Sequence, residues 1–130
     1  MTPLRPHHLA VVVQDLARAE AFYAGVLGLP LVRRWDDDEG RPRSVWLALG
    51  GDTFLAVERA ASPGPVRADE APGWHCVALA IEASEREAWR ARLEAAGVPV
   101  ERESAFTLYA RDPEGSLIAL SHWPVERGAR

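Results

Sequence analysis

The chain offers few side chains for chemistry, and their types narrow what it can do. Cys76 is the only thiol, and the four histidines are His7, His8, His75 and His122. All fifteen basic residues are arginine, so a lysine Schiff-base mechanism is excluded. A reactive thiolate needs an electropositive, accessible setting. In an extended strand His75 would point away from the face that carries Cys76, which disfavours a Cys–His dyad. Cys76 therefore reads first as a small buried apolar residue and only second as a nucleophile. The aromatic residues say more. Trp46, Trp74 and Tyr109 fall at or near one strand parity, with Trp35 beside them and Glu58 and Arg111 as polar neighbours. Such indoles either fill a sheet interior or make a stacking surface for a flat or bulky ligand.

Those residues have to be positioned by a repeated framework. His7-His8-Leu9-Ala10-Val11-Val12-Val13 recurs as His75-Cys76-Val77-Ala78-Leu79-Ala80-Ile81, and Gly28-Leu29-Pro30-Leu31 recurs as Gly97-Val98-Pro99-Val100. A later pair also matches, Phe54-Leu55-Ala56-Val57 with Leu117-Ile118-Ala119-Leu120. Self-similarity of this kind means two copies of one supersecondary unit. In the first copy His8 to Val13 reads as a buried strand, and Asp15 as the N-cap of a helix. Leu16, Ala19, Phe22, Tyr23, Val26 and Leu27 then share a helix face, and Gly28 with Pro30 ends it. Strands follow over 31–35, 44–49 and 53–59. In the second copy a strand spans 75–81, and Ser84 and Glu87 have capping-box spacing. Trp89, Leu93 and Ala96 should face the core, ahead of strands over 98–103, 107–110 and 116–122. Asp112-Pro113-Glu114-Gly115 suits a type I turn.

Each half is therefore βαβββ, and the chain reads as one α+β domain. Module one covers about 6–60, a linker 61–73, module two about 74–123, and a loose tail 124–130. Two such modules would pair into a curved, mostly antiparallel sheet with its helices outside and its concave side open as a cup. At 130 residues the chain is long enough for one packed core. Its net charge of −4 argues against a general nucleic-acid partner. Arg33, Arg34, Arg41 and Arg43 beside Asp36 to Glu39 read as a solvated loop or, more weakly, an anion-binding rim. A single cysteine allows no intrachain disulfide. The first residues lack a signal-peptide core, and no apolar run approaches the ~18 residues of a membrane span. The expectation is a cytoplasmic protein with no membrane partner.

With those residues in view, the chain resembles the vicinal oxygen chelate superfamily of glyoxalases, bleomycin-resistance proteins and ring-cleaving dioxygenases. The resemblance rests on His8 to Leu16, Phe22-Tyr23 and Val26-Leu27-Gly28-Leu29 in the first module, and on Asp112 to Ile118 in the second. It implies one metal ligand on the first and one on the last strand of each module. Carried over, these positions are His8, Ala56, Cys76 and Ala119. Two alanines cannot bind a metal, and the usual glutamate base of the lyases is missing with them. His8 is then a ligand or a polar residue satisfied at the cavity wall. His75 and His122 have the wrong parity to substitute. The expected function is a metal-independent binding protein of the bleomycin-resistance type, needing no cofactor and holding an aromatic or amphipathic molecule, an antibiotic among them. His8, Trp35, Trp46, Glu58, Trp74, Cys76, Tyr109 and Arg111 would line its site. The alternative is a lyase, isomerase or dioxygenase with an irregular metal site of His8, Glu58 and Cys76. The resemblance also implies a homodimer, which would cover the exposed sheet edges.

Overall fold

The structure, a computed structural model, describes residues 1–124. The tail expected to be loose, apart from Pro124, lies outside the described residues. The chain divides into two compact units, Met1–Val66 and a second beginning at Arg67, so the division falls inside the expected linker.

In the first unit β1 (His8–Val13) leads into α1 (Leu16–Glu20), which continues as a π-helical segment, Ala21–Val26. Then come β2 (Leu31–Asp36), β3 (Pro42–Ala48) and β4 (Phe54–Arg59). The sheet order is β1-β4-β3-β2, with β1 parallel to β4 and the other pairs antiparallel. Asp15 caps α1 as the sequence predicts, accepting a 3.0 Å hydrogen bond from the Arg18 amide. Gly28 ends the helix at φ 74°, a conformation that costs glycine little. Leu16, Ala19, Phe22, Tyr23 and Leu27 are buried with Val13, Val45, Leu47, Leu55 and Val57, so one face of the sheet is the core of the unit. Alternation along each strand leaves the other face to different residues.

The second unit repeats the plan with β5 (Val77–Ala80), a 3-10 turn (Ala83–Glu85), α2 (Arg86–Ala95), β6 (Arg102–Glu103), β7 (Thr107–Arg111) and β8 (Leu117–Ser121). Its order is β5-β8-β7-β6, again with the first and last strands parallel. Both sheets are mixed, neither closes into a barrel, and the fold is α+β. Four local expectations need correction. Strand β5 starts at Val77 rather than His75, with Ile118 of β8 as its first ladder partner. The capping box is Glu82 with Glu85, since a 3-10 turn enters α2 before Ser84 can act as cap. Strand β6 is only two residues long, and Pro99, which has no amide to donate to a ladder, lies outside it. Ala96 is exposed, so Leu93 is the buried residue on that helix face.

The Asp112 turn forms as the sequence predicts. Asp112 Oδ1 accepts from the amides of Glu114 and Ser116, each at 2.9 Å, and Gly115 takes a φ of 89°.

Candidate functional site

The non-core face of the first sheet carries a row of rings, one from each strand. His8 on β1 lies opposite Phe54 on β4, and the two rings stack with centroids 5.0 Å apart and planes 9° from parallel. Phe54 stacks on Trp46 of β3 at 4.4 Å and 25°. Trp46 meets Trp35 of β2 at 5.2 Å. The Arg33 guanidinium closes the row, 3.6 Å from the centre of the Trp35 ring. His7 extends it beyond His8, with the two Nδ1 atoms 2.9 Å apart. Period-2 alternation creates the row: Phe54, Ala56 and Glu58 share a face, as do Ser44 and Trp46, and as do Arg33 and Trp35.

Three buried polar atoms on this face have no hydrogen-bond partner among the described residues: Trp35 Nε1, Trp46 Nε1 and Ser44 Oγ. They adjoin one another, because Ser44 is in register with Trp35 across β2 and two residues from Trp46 along β3. Buried donors are normally paired, with protein groups or with ordered water. Glu58 lies opposite Ser44 on β4.

The second unit repeats one row of this pattern. Arg33, Trp46, Ala56 and Ala10 run across the first sheet in register. Arg102, Tyr109, Ala119 and Ala78 run across the second. The Arg102 guanidinium sits 4.3 Å from the Tyr109 ring centre.

Of the predicted site residues, the structure brings together His8, Trp35, Trp46 and Glu58 on the first sheet. Trp74, Cys76, Tyr109 and Arg111 belong to the second unit. Trp74 precedes β5 in a loop and is 92% exposed, and Cys76 is half-buried in the same loop. Arg111 is fully committed within its unit: its five N–H groups reach Asp69, Glu101 and the Gly115 carbonyl at 2.7–3.0 Å. The hydrogen bonds to Asp69, then those to Glu101, raise its pKa above the ordinary guanidinium value. Sequence reasoning passed over Phe54 and Ser44 as site residues and placed Arg33 only in a solvated loop or an anion-binding rim. The signal was present in the alternation of Phe54 with Ala56 and Glu58.

The metal centre implied by the family does not fit these residues. Ala56 and Ala119 are 3% and 1% exposed and carry no donor atom. The irregular alternative of His8, Glu58 and Cys76 is corrected by register. His8 pairs with Phe54 whereas Val12 pairs with Glu58, which separates His8 from Glu58 by about 13 Å of strand. Ligands of one zinc ion lie about 2 Å from it, so the two cannot share an ion. Among the described residues no three His, Cys, Asp or Glu side chains form a metal-holding group.

The model of the Glyoxalase/Bleomycin resistance protein/Dioxygenase superfamily matches residues 5–120. The lactoylglutathione lyase of Salmonella typhimurium is 28% identical over 123 residues, covering 90% of this chain and 91% of that protein. Among solved structures, a glyoxylase/bleomycin resistance protein/dioxygenase domain from Frankia sp. aligns with a TM-score of 0.79 at 18% identity, covering 95% of this chain and all of that one. The fosfomycin resistance protein FosX from Listeria monocytogenes aligns with a TM-score of 0.74 at 17% identity, covering 99% of this chain and 97% of that one. At such identities the structural likeness speaks for the fold.

Proposed function

The chain belongs to the Glyoxalase/Bleomycin resistance protein/Dioxygenase superfamily, and from that premise we propose that it is a metal-independent small-molecule binding protein. Its ligand is aromatic or amphipathic and stacks on the ring row of the first sheet. The observation that carries this reading is the unbroken series His8, Phe54, Trp46 and Trp35, beside donors that have no partner among the described residues. Aromatic pairs, edge-to-face as well as stacked, gain about 0.5–1.5 kcal/mol beyond area burial, so a flat ligand set against the edges of several rings needs few polar contacts to be held. The mechanism is sequestration: the ligand leaves water, and the polar groups at the ends of the row orient it. Fluorescence and calorimetric titration with a panel of flat aromatic compounds tests this. Binding should quench tryptophan emission, and Trp46→Ala should weaken it by roughly 1–3 kcal/mol. Unchanged affinity in that variant places the ligand elsewhere.

A second reading is favoured by the sequence match to a lactoylglutathione lyase over nine-tenths of the chain. It requires a base beside a polarising metal, and Ala56 and Ala119 supply neither. In the preferred reading the protein acts as a cytoplasmic homodimer without nucleic-acid or membrane partners. Among the described residues no helix is long and apolar enough to cross a membrane.

A further inference from the structure

The second unit has a cleft of its own, at the end of the sheet where β5 and β8 stop. It encloses about 370 Å³, within the size range of small-molecule sites. Ala80, Ile81 and Trp123 give it apolar wall, and Glu82, Glu85 and His122 give it polar groups. Trp123 is 63% exposed, yet its place is fixed. Its ring packs edge-to-face on Phe106 with centroids 4.7 Å apart, and its amide donates to Ser121 Oγ at 3.3 Å. An exposed indole already held in place loses little further freedom when a ligand packs on it.

The charges of the cleft do not cancel. In the capping box the Glu82 and Glu85 carboxylates each accept one backbone amide. A carboxylate has about four acceptor sites, so each keeps room for another donor. Neither has a cationic partner among the described residues. The arginines of α2 are spent elsewhere. Arg90 pairs with Glu87 and Glu103, and Arg86 donates to Glu103 and to the carbonyls of Ser104 and Ala105. Arg86 also donates to His122 Nε2 at 3.1 Å. A guanidinium only donates, so Nε2 is the acceptor, the ring proton sits on Nδ1 and the imidazole is neutral. His122 therefore brings no positive charge to offset the two carboxylates.

We propose that this cleft binds organic amines, at a site separate from the ring row of the first sheet. The ammonium donates to Glu82 and Glu85, and the apolar body of the amine lies against Trp123 and Ile81. Indole is also the best ring partner for a cation. A neutral ligand of the same shape leaves both carboxylates without a counter-charge, and an anion meets them with like charge. The apolar wall distinguishes an organic cation from a metal ion, which gains nothing from it.

Three probes of similar shape and different charge separate the contributions: phenethylamine, phenethyl alcohol and hydrocinnamate. Each is titrated by calorimetry into the wild-type protein, the double variant Glu82→Gln with Glu85→Gln, Trp123→Ala and Trp46→Ala. Glutamine keeps a carbonyl acceptor for each capping amide, so the double variant should retain α2, which circular dichroism checks. Trp123 is exposed and lies beyond β8, so its replacement reads the cleft without touching a helix cap. The wild type should bind phenethylamine roughly tenfold tighter than phenethyl alcohol, with hydrocinnamate the weakest. The double variant should lose that preference and keep its affinity for the alcohol. Trp123→Ala should weaken amine binding by roughly tenfold, and Trp46→Ala should leave it as it was. The preference should also shrink as salt is raised. Equal binding of amine and alcohol overturns the inference, and so does a preference that survives in the double variant. An amine that responds to Trp46→Ala and not to Trp123→Ala sits on the first sheet, which overturns this site and supports the ring row. If no probe binds the wild type, the cleft is not an amine site.

Discussion

Asp37 organises the loop between β2 and β3 through one carboxylate. Its Oδ1 accepts from the amides of Glu39 and Arg41, both at 2.9 Å, and its Oδ2 accepts from the guanidinium of Arg59 on β4 at 2.9 Å. The backbone bond from Arg41, followed by the side-chain bond from Arg59, lowers its pKa from 3.8 to about 2. A carboxyl whose pKa is depressed by folding stabilises the fold above its unfolded pKa and loses that contribution as pH falls through the folded value. Asp37→Asn should therefore melt below the wild type above pH 4, and the gap should close as pH approaches 2. Melting curves across that window check it, and a pH-independent gap would mean that packing alone is at work. At the same scale, the Trp46 titration reports on the ring row. Trp89, half-buried on α2 beneath Arg92, should respond much less to ligand.

Among the elements, α2 shows how a start signal can be displaced. Ser84 and Glu87 have capping-box spacing in the sequence, yet the structure uses Glu82 and Glu85. The Glu82 amide donates to Glu85 Oε1 at 2.9 Å, while Glu87 pairs with Arg90 at 3.1 Å. Ser84→Ala should leave the melting temperature unchanged, whereas Glu85→Ala should lower it, since it leaves an end amide without its acceptor. For α1 the cap is where the sequence puts it, and Asp15→Ala should cost about 1 kcal/mol in denaturant unfolding. If Ser84→Ala is the more damaging change, the helix begins later than described.

At the scale of the whole molecule, two alanines set the expectation. Purified protein should carry no stoichiometric Zn, Ni, Mn or Fe, and chelator should not shift its melting temperature. It should show no turnover of methylglyoxal with glutathione. A one-to-one metal lost on His8→Ala, with metal-stimulated turnover, would establish the lyase reading instead. The proposed homodimer predicts a mass near twice 14.3 kDa by light scattering at micromolar concentration, and a monomer would refute it.

Local rules settled much of the framework in advance. The internal repeat, the Asp15 cap, the glycine after each helix and the Asp112 turn depend on a few neighbouring residues, so alternation and turn chemistry were enough to find them. That Ala56 and Ala119, at the positions the resemblance aligns with metal ligands, carry no donor atom follows from side-chain chemistry without any geometry. Register was not legible. Only the pairing of His8 with Phe54 and of Val12 with Glu58 shows that His8 and Glu58 cannot meet at one ion. Only the bulged pairing of β2 with β3 brings Arg33, Trp35, Ser44 and Trp46 onto one face. The start of β5 was likewise hidden, since it depends on where pairing with β8, distant in sequence, begins. Contacts between residues distant in sequence decided what the rings, the arginine and the unpartnered donors can do together.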